Sequence, residues 1–212
     1  MLSEQGFLEL LKIFPHVSSE LFEELCMYER LLRQWQIHIN LVANSTLSDF
    51  WTRHILDSAQ LLLLESKAEI WLDLGSGAGF PGIVIALFLK REEKRSIHLI
   101  ESNAKKASFL HTVITKLSLP AKVYHMRIED SYSHVPLPDI ITSRALASLK
   151  KIFRFVLPFL KGNTTILLHK GKSYLQEISD SHEKWIFDFL LHRSILDSDS
   201  VILKIKNLKK LS

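Results

Sequence analysis

Ten consecutive residues, Asp73-Leu74-Gly75-Ser76-Gly77-Ala78-Gly79-Phe80-Pro81-Gly82, hold four of the chain's seven glycines directly behind a carboxylate. Glycine tolerates positive φ and lets backbone approach a ligand, and a helix N-terminus after such a loop polarises bound groups. Pro81 suits the first helical turn, where a missing N–H costs nothing. Glu101 follows Asp73 by 28 residues, and nucleotide-binding α/β folds place an acid near that interval to hold ribose hydroxyls.

Two registers of the loop are open. Gly77-x-Gly79-x-x-Gly82 fits the dinucleotide fingerprint, a weak signal alone. Asp73-x-Gly75-x-Gly77-x-Gly79 fits the acidic glycine loop of enzymes that bind S-adenosylmethionine (SAM). The acid before the glycines suits a ligand with an ammonium group better than a pyrophosphate, and the chain has no room for a separate substrate domain. SAM is therefore the expected cofactor.

Other residues extend this reading. Arg127-Ile128-Glu129 is expected to close a third strand, with Ile128 against an adenine ring and Glu129 reading its polar edge. Arg144, in Ser143-Arg144-Ala145, is expected in the crevice beside the first strand, where open α/β sheets bind ligands. A guanidinium is no base at neutral pH, but it grips carboxylate or phosphate bidentately. Without a carboxylate or carbonyl acceptor there, the expected methyl acceptor has a free lone pair and no proton to lose. Cys26, on an acidic helix, reads as a packed small apolar residue rather than a nucleophile. Lys105, Lys106, Lys150, Lys151, Arg154, Lys170 and Lys172 are expected around the carboxyl edge of the sheet, where phosphate contacts would be salt-dependent and blind to sequence; taken singly, each reads as solvated surface. His54 and Asp57 lack a third ligand and read as helix-surface hydrogen-bonding groups, and no metal is expected.

The elements that must position these residues follow from periodicity. Residues 3–14 predict a short amphipathic helix that Pro15 stops. Ser18 or Ser19 caps a second helix with Leu21, Leu25, Tyr28, Leu32, Trp35 and Ile39 on one face. A third, capped by Thr46 or Ser48, places Trp51, Ile55, Ala59 and Leu62 together. From residue 70 strands and helices alternate: strands over 70–74, 97–101, 122–127, 139–143, 164–169 and 201–206, helices over 82–90, 104–117 and 149–160, a polar stretch after 169, and an element of open type over 185–195. This order calls for an α/β fold with a mostly parallel sheet covered on both faces. The predicted division is an N-terminal helical extension, 1–66, and a SAM-binding domain, 67–212.

Composition agrees. The chain has 212 residues, 47% hydrophobic and 24% charged, which excludes disordered and collagen-like classes. One cysteine rules out an intrachain disulfide. Apolar runs are too short to span a bilayer and the N-terminus lacks a secretory core, so a cytoplasmic protein with no membrane partner is expected. Residues 1–65 carry 4 Lys/Arg against 9 Asp/Glu, and 66–212 carry 23 against 14. The basic body fits a polyanionic partner, most simply nucleic acid.

The motifs in order resemble the RsmG (GidB) family: the loop 73–82, Glu101-Ser102-Asn103 with Lys105-Lys106, Ser143-Arg144-Ala145, His169-Lys170-Gly171, Trp35-x-x-x-x-Asn40-Leu41 and Arg53-His54-x-x-Asp57-Ser58. The resemblance implies a class I methyltransferase fold, Rossmann-like with a seven-stranded sheet, SAM as cofactor and N7 of one guanine in 16S ribosomal RNA as acceptor. It implies SAM contacts at Gly75, Phe80, Ile128, Glu129 and Arg144 and a ribose role for Glu101; Asp73, Gly77 and Gly79 join the expected cofactor site from the loop itself. Arg144 is expected to position reactants, with no general base. Lys105, Lys106, Lys170 and Lys172 are the expected RNA contacts, the partner 16S rRNA or a small-subunit assembly intermediate, and the protein a monomer. Gln36 and His38 stand where the family usually has Asn and Lys, a departure that bears on RNA contact. Two rivals remain at this stage: a methyltransferase of the same fold acting on a small molecule or protein, and a non-catalytic RNA-binding accessory protein.

Overall fold

The computed structural model describes residues 2–196 and 200–211. Seven strands form one sheet in the order β3-β2-β1-β4-β5-β7-β6: β1 Ile70–Leu74, β2 Ser96–Ile100, β3 Ala121–Tyr124, β4 Ile140–Arg144, β5 Thr165–Lys170, β6 Trp185–Arg193 and β7 Val201–Lys210. The first five pair in parallel and β7 runs antiparallel between β5 and β6. The strand order reverses between β1 and β4, and ligand crevices in open α/β sheets form at such a point.

Strand alternation sends side chains to two cores. Trp71, Ile97, Leu99, Val123, Ile140 and Leu167 face one, shared with α1 (Leu2–Ile13), α2 (Ser19–Gln36), α4 (Gly82–Leu89) and α5 (Ala104–Leu117). Leu72, Leu74, Ile100, Ile141, Ile166 and Leu168 face the other, under α6 (Leu149–Val156) and α7 (Tyr174–Ser181). The N-terminal helices thus share one continuous core with the sheet. Gly6 makes room for this: a Cβ there would sit 2.4 Å from the Trp51 ring.

Local signals set the helix ends. Ser18 Oγ accepts the Leu21 amide, and Asn103 Oδ1 accepts the Lys105 and Lys106 amides at the start of α5. Ser118, at φ 51, closes α5 in the left-handed region.

Several boundaries differ from the sequence reading. The third helix is irregular: a π-helical stretch Trp51–Leu56, a single α-turn α3 (Asp57–Ala59) and a 3-10 turn Gln60–Leu63. The third strand stops at Tyr124, so Ile128 and Glu129 lie in a following 3-10 turn. Helix α6 ends at Val156 and the chain continues as a 3-10 turn over Leu157–Phe159. The polar stretch after β5 contains α7, whose buried apolar contact is little more than Ile178, too little to show as periodicity. The element of open type is β6.

Candidate active site

Two cavities open at the carboxyl edge of the parallel strands, one on each side of the backbone that follows Arg144. They share Ala145 and Ala147 in their walls.

The first, about 700 Å³, is built from the ends of β1, β2 and β3 and includes Gly75, Gly77, Glu101, Ile128 and Glu129. The glycine loop is tied to the neighbouring strand: the Gly75 and Ser76 amides both donate to the Ile100 carbonyl at 3.0 Å. Glu101 holds it from the cavity side, accepting the Gly77 amide on Oε2 at 2.8 Å and the Asn103 amide on Oε1 at 2.7 Å. Each carboxylate oxygen keeps a second lone pair for a ligand hydroxyl. Gly77 has φ +56, and a Cβ there would meet only the Gly75 carbonyl at 3.8 Å; the open space beside it is a cradle that a side chain would fill. With Ile128 buried and Glu129 exposed on the facing wall, the donor set fits a nucleoside with a charged tail.

Four expected cofactor residues, Asp73, Gly79, Phe80 and Arg144, do not line this cavity. Asp73 is fully buried beneath the loop; Oδ1 accepts from Thr142 Oγ1 at 3.1 Å and Oδ2 has no hydrogen-bond partner. Burial pushes its carboxyl up to about 6, against the pull of neighbouring hydroxyls. It sits against the start of α4, 2.8 Å from where a Gly82 Cβ would be, so the carboxyl expected near an ammonium lies beneath the loop and off the cavity wall. Gly79 faces away, with Ile83 and the Tyr28 hydroxyl where its Cβ would lie. The Phe80 ring stacks on His54, centroids 4.6 Å apart.

The second cavity, about 590 Å³, lies between the extension and the ends of β4 and β5, and includes Arg53, His54, Asp57, Arg144, His169 and Lys170. Arg144 lines this cavity, and its guanidinium is engaged: Nη1 donates to the Arg53 carbonyl at 2.8 Å and to Asp57 Oδ2 at 3.1 Å, and Nη2 lies 2.6 Å from His54 Nδ1. Burial holds His54 down to about 3, reinforced by the Arg144 and Arg53 charges, and burial also lowers His169. The expectation of a surface role for His54 and Asp57 is therefore corrected. His54 is buried and both belong to the site. Their Arg53-His54-x-x-Asp57-Ser58 motif was the available signal, but spacing alone gave no reason to bury a histidine beside an arginine 90 residues away.

The cations separate. Lys105 and Lys172 are exposed and Lys106 is half-buried on the first cavity. Lys170 is buried: its ammonium donates to Glu177 at 2.7 Å and to the Ala147 carbonyl at 3.0 Å. As a phosphate contact it is corrected to an internal ion pair that secures α7, an element the sequence reading lacked. Gln36 likewise spends its amide on its own loop, bonding Leu41, Val42 and Asn44. Cys26 is partly buried against the first core, and Trp35 packs on Phe109. Among the described residues no group of three or more His, Cys, Asp or Glu is arranged for a metal ion, and no helix is long and apolar enough to cross a membrane.

Solved structures share the fold at low identity. A protein described as an O-methyltransferase from Klebsiella pneumoniae matches with TM-score 0.61 and 14% identity over 94% of each chain. One described as a caffeoyl-CoA O-methyltransferase from Staphylococcus aureus matches with TM-score 0.59 and 16% identity over 98% of this chain and 100% of that one. The sheet is that of class I SAM-dependent methyltransferases. Sequence relatives are nearer. "Ribosomal RNA small subunit methyltransferase G" of Bartonella tribocorum is 50% identical over 97% of both chains, and that of Chelativorans sp. 44% identical over 100% of both. The family model for GidB, rRNA small subunit methyltransferase G, matches residues 21–205. The chain belongs to the rRNA small subunit methyltransferase G family.

Proposed function

We propose that this chain, a SAM-dependent methyltransferase of small-subunit ribosomal RNA, methylates N7 of a guanine in 16S rRNA and does so without a general base. The carrying observation is the pairing of titratable groups in the cavity beside Arg144. Asp57 faces Arg144, Glu177 faces Lys170, His54 meets Arg144, and His169 Nε2 donates to the Asp57 carbonyl at 2.8 Å, its Nδ1 being unpaired but buried away from the cavity. Asp49, exposed on the extension, is the lining carboxylate outside these pairs. A wall so committed suits an acceptor that has no proton to give up. Guanine N7 is such an acceptor.

In this reading the cavity between Gly77 and Ile128 holds SAM, with Glu101 toward the ribose hydroxyls, Ile128 against the adenine and Glu129 at its polar edge. When bound, SAM supplies an electrophilic methyl on a sulfonium sulfur. The chain's contribution is alignment across the shared Ala145–Ala147 wall and exclusion of competing nucleophiles. Arg144 orients the acceptor and moves no proton. Exposed Lys105 and Lys172 and half-buried Lys106 are assigned to RNA phosphates, and the division into a 1–66 extension and a 67–212 catalytic domain is retained as a functional one.

The test is incubation of the purified protein and methyl-labelled SAM with small-subunit rRNA or particles lacking the modification. Label recovered as 7-methylguanosine supports the reading. Label in another nucleoside refutes the N7 assignment and leaves the methyltransferase.

A further inference from the structure

Arg144 ends β4, yet the hydrogen-bond partners of its guanidinium, Arg53, His54 and Asp57, all come from the extension. A guanidinium has donors only, so the 2.6 Å contact makes His54 Nδ1 the acceptor and leaves the imidazole proton on Nε2, which donates to Thr46 Oγ1 at 3.0 Å. Asp57 is fixed in turn. Its Oδ1 accepts from Gln60 Nε2 at 2.7 Å while Oδ2 faces Arg144. The carboxylate cannot swing without losing Gln60, and the guanidinium cannot rotate without losing the Arg53 carbonyl, Asp57 and His54 together. The Phe80 ring lies 5.5 Å from the Arg144 guanidinium carbon and stacks on His54, limiting movement of both.

Three of the five guanidinium N–H groups are occupied by these contacts, which leaves two. The structure assigns Asp57 and His54 as positioning residues that fix the plane of the Arg144 guanidinium, so that its two remaining N–H groups meet an oxygen of the RNA acceptor in one orientation. This rests on the reading of the 590 Å³ cavity as the acceptor site. The extension is then part of the catalytic apparatus through two side chains that need not touch substrate.

A plain tertiary staple between extension and sheet would show the same contacts, so the test separates the two. Single-turnover methylation at saturating SAM and rRNA is measured for the parent, D57N, R144K and the double variant, with SAM affinity by calorimetry and thermal unfolding in parallel. For a positioning role, D57N loses at least tenfold in saturated rate with SAM affinity within about threefold of parent. Adding D57N to R144K then costs less than a further twofold, because Asp57 acts only through Arg144. A parental rate in D57N overturns the assignment, as does a loss that multiplies fully in the double variant. Should D57N fail to fold, H54Q, which removes a neutral acceptor and no charge, takes its place in the same cycle with the same outcomes. A parent that methylates no rRNA would refute the functional reading instead.

Discussion

The Tyr28 hydroxyl donates to the Ala78 carbonyl at 2.6 Å, joining the middle of α2 to the centre of the glycine loop across 50 residues of chain. Tyr28 is fully buried, and burial raises its phenol well above the ordinary tyrosine value, so it remains a donor throughout the working range. The glycine loop, which shapes the cavity beside Gly77, is thus held from behind by the extension, while Glu101 holds it from the front.

Tyr28→Phe should remove that restraint and leave the Ala78 carbonyl unpaired. A stability loss of about 1–2 kcal/mol is expected in urea unfolding. Calorimetry should show SAM affinity falling several-fold, because the loop amides are no longer fixed. Unchanged affinity would mean Glu101 and the Ile100 carbonyl suffice to shape the loop.

Gly77→Val places a branched side chain in the open space beside the loop, at a φ of +56 that a β-branched residue resists. SAM binding should weaken by roughly thirtyfold or more, equivalent to about 2 kcal/mol. Circular dichroism should show the fold retained. Affinity within threefold of parent would move the cofactor out of this cavity.

The two classes of lysine should behave differently. Lys170→Ala leaves half-buried Glu177 without its cation, and about 1–3 kcal/mol of stability should go with it. Lys105→Ala combined with Lys106→Ala should leave unfolding unchanged and lower the slope of log RNA affinity against log salt by about 1 to 2. An unaltered slope would remove both residues from the RNA interface.

Methyl transfer at saturation should be nearly flat between about pH 6.5 and 9 in single-turnover measurements. The two histidines lining the cavity beside Arg144 have lowered pKa values, His54 to about 3, which favours the neutral imidazole in that window. A limb of unit slope there would require a base and end the lone-pair mechanism.

Asp73 supplies a stability test with a definite sign. Its folded pKa of about 6 lies above the 3.8 of the free side chain. Between those values the folded state binds more protons than the unfolded, and stability falls as pH rises through the window. Asp73→Asn removes that titration. Its stability should decline by about 3 kcal/mol less than the parent's between pH 3.5 and 7.5, as read by urea unfolding at both ends. Parallel pH profiles would show that the carboxyl is not desolvated.

The glycine loop was legible because its pattern is local. Glycines behind an acid, a strand before and a helix after, and Glu101 one strand later are all features of consecutive chain, and the structure brings Gly75, Gly77, Glu101 and Ile128 to one cavity. The parallel sheet was legible for the same reason, since each short apolar run is separated from the next by helical periodicity. Asp73, Lys170 and Arg144 were identified as noteworthy, but sequence gave their type without their direction. Strand parity and burial turned Asp73 under the loop, and α7, nearly silent as a pattern, supplied Glu177 for Lys170. The partners of Arg144 stand some ninety residues before it, on a turn whose π-helical spacing no periodicity announces. Which residues stood out was written in their types and local spacing; how they are directed and paired depended on contacts between distant segments, and those form only when the extension closes over the carboxyl edge of the sheet.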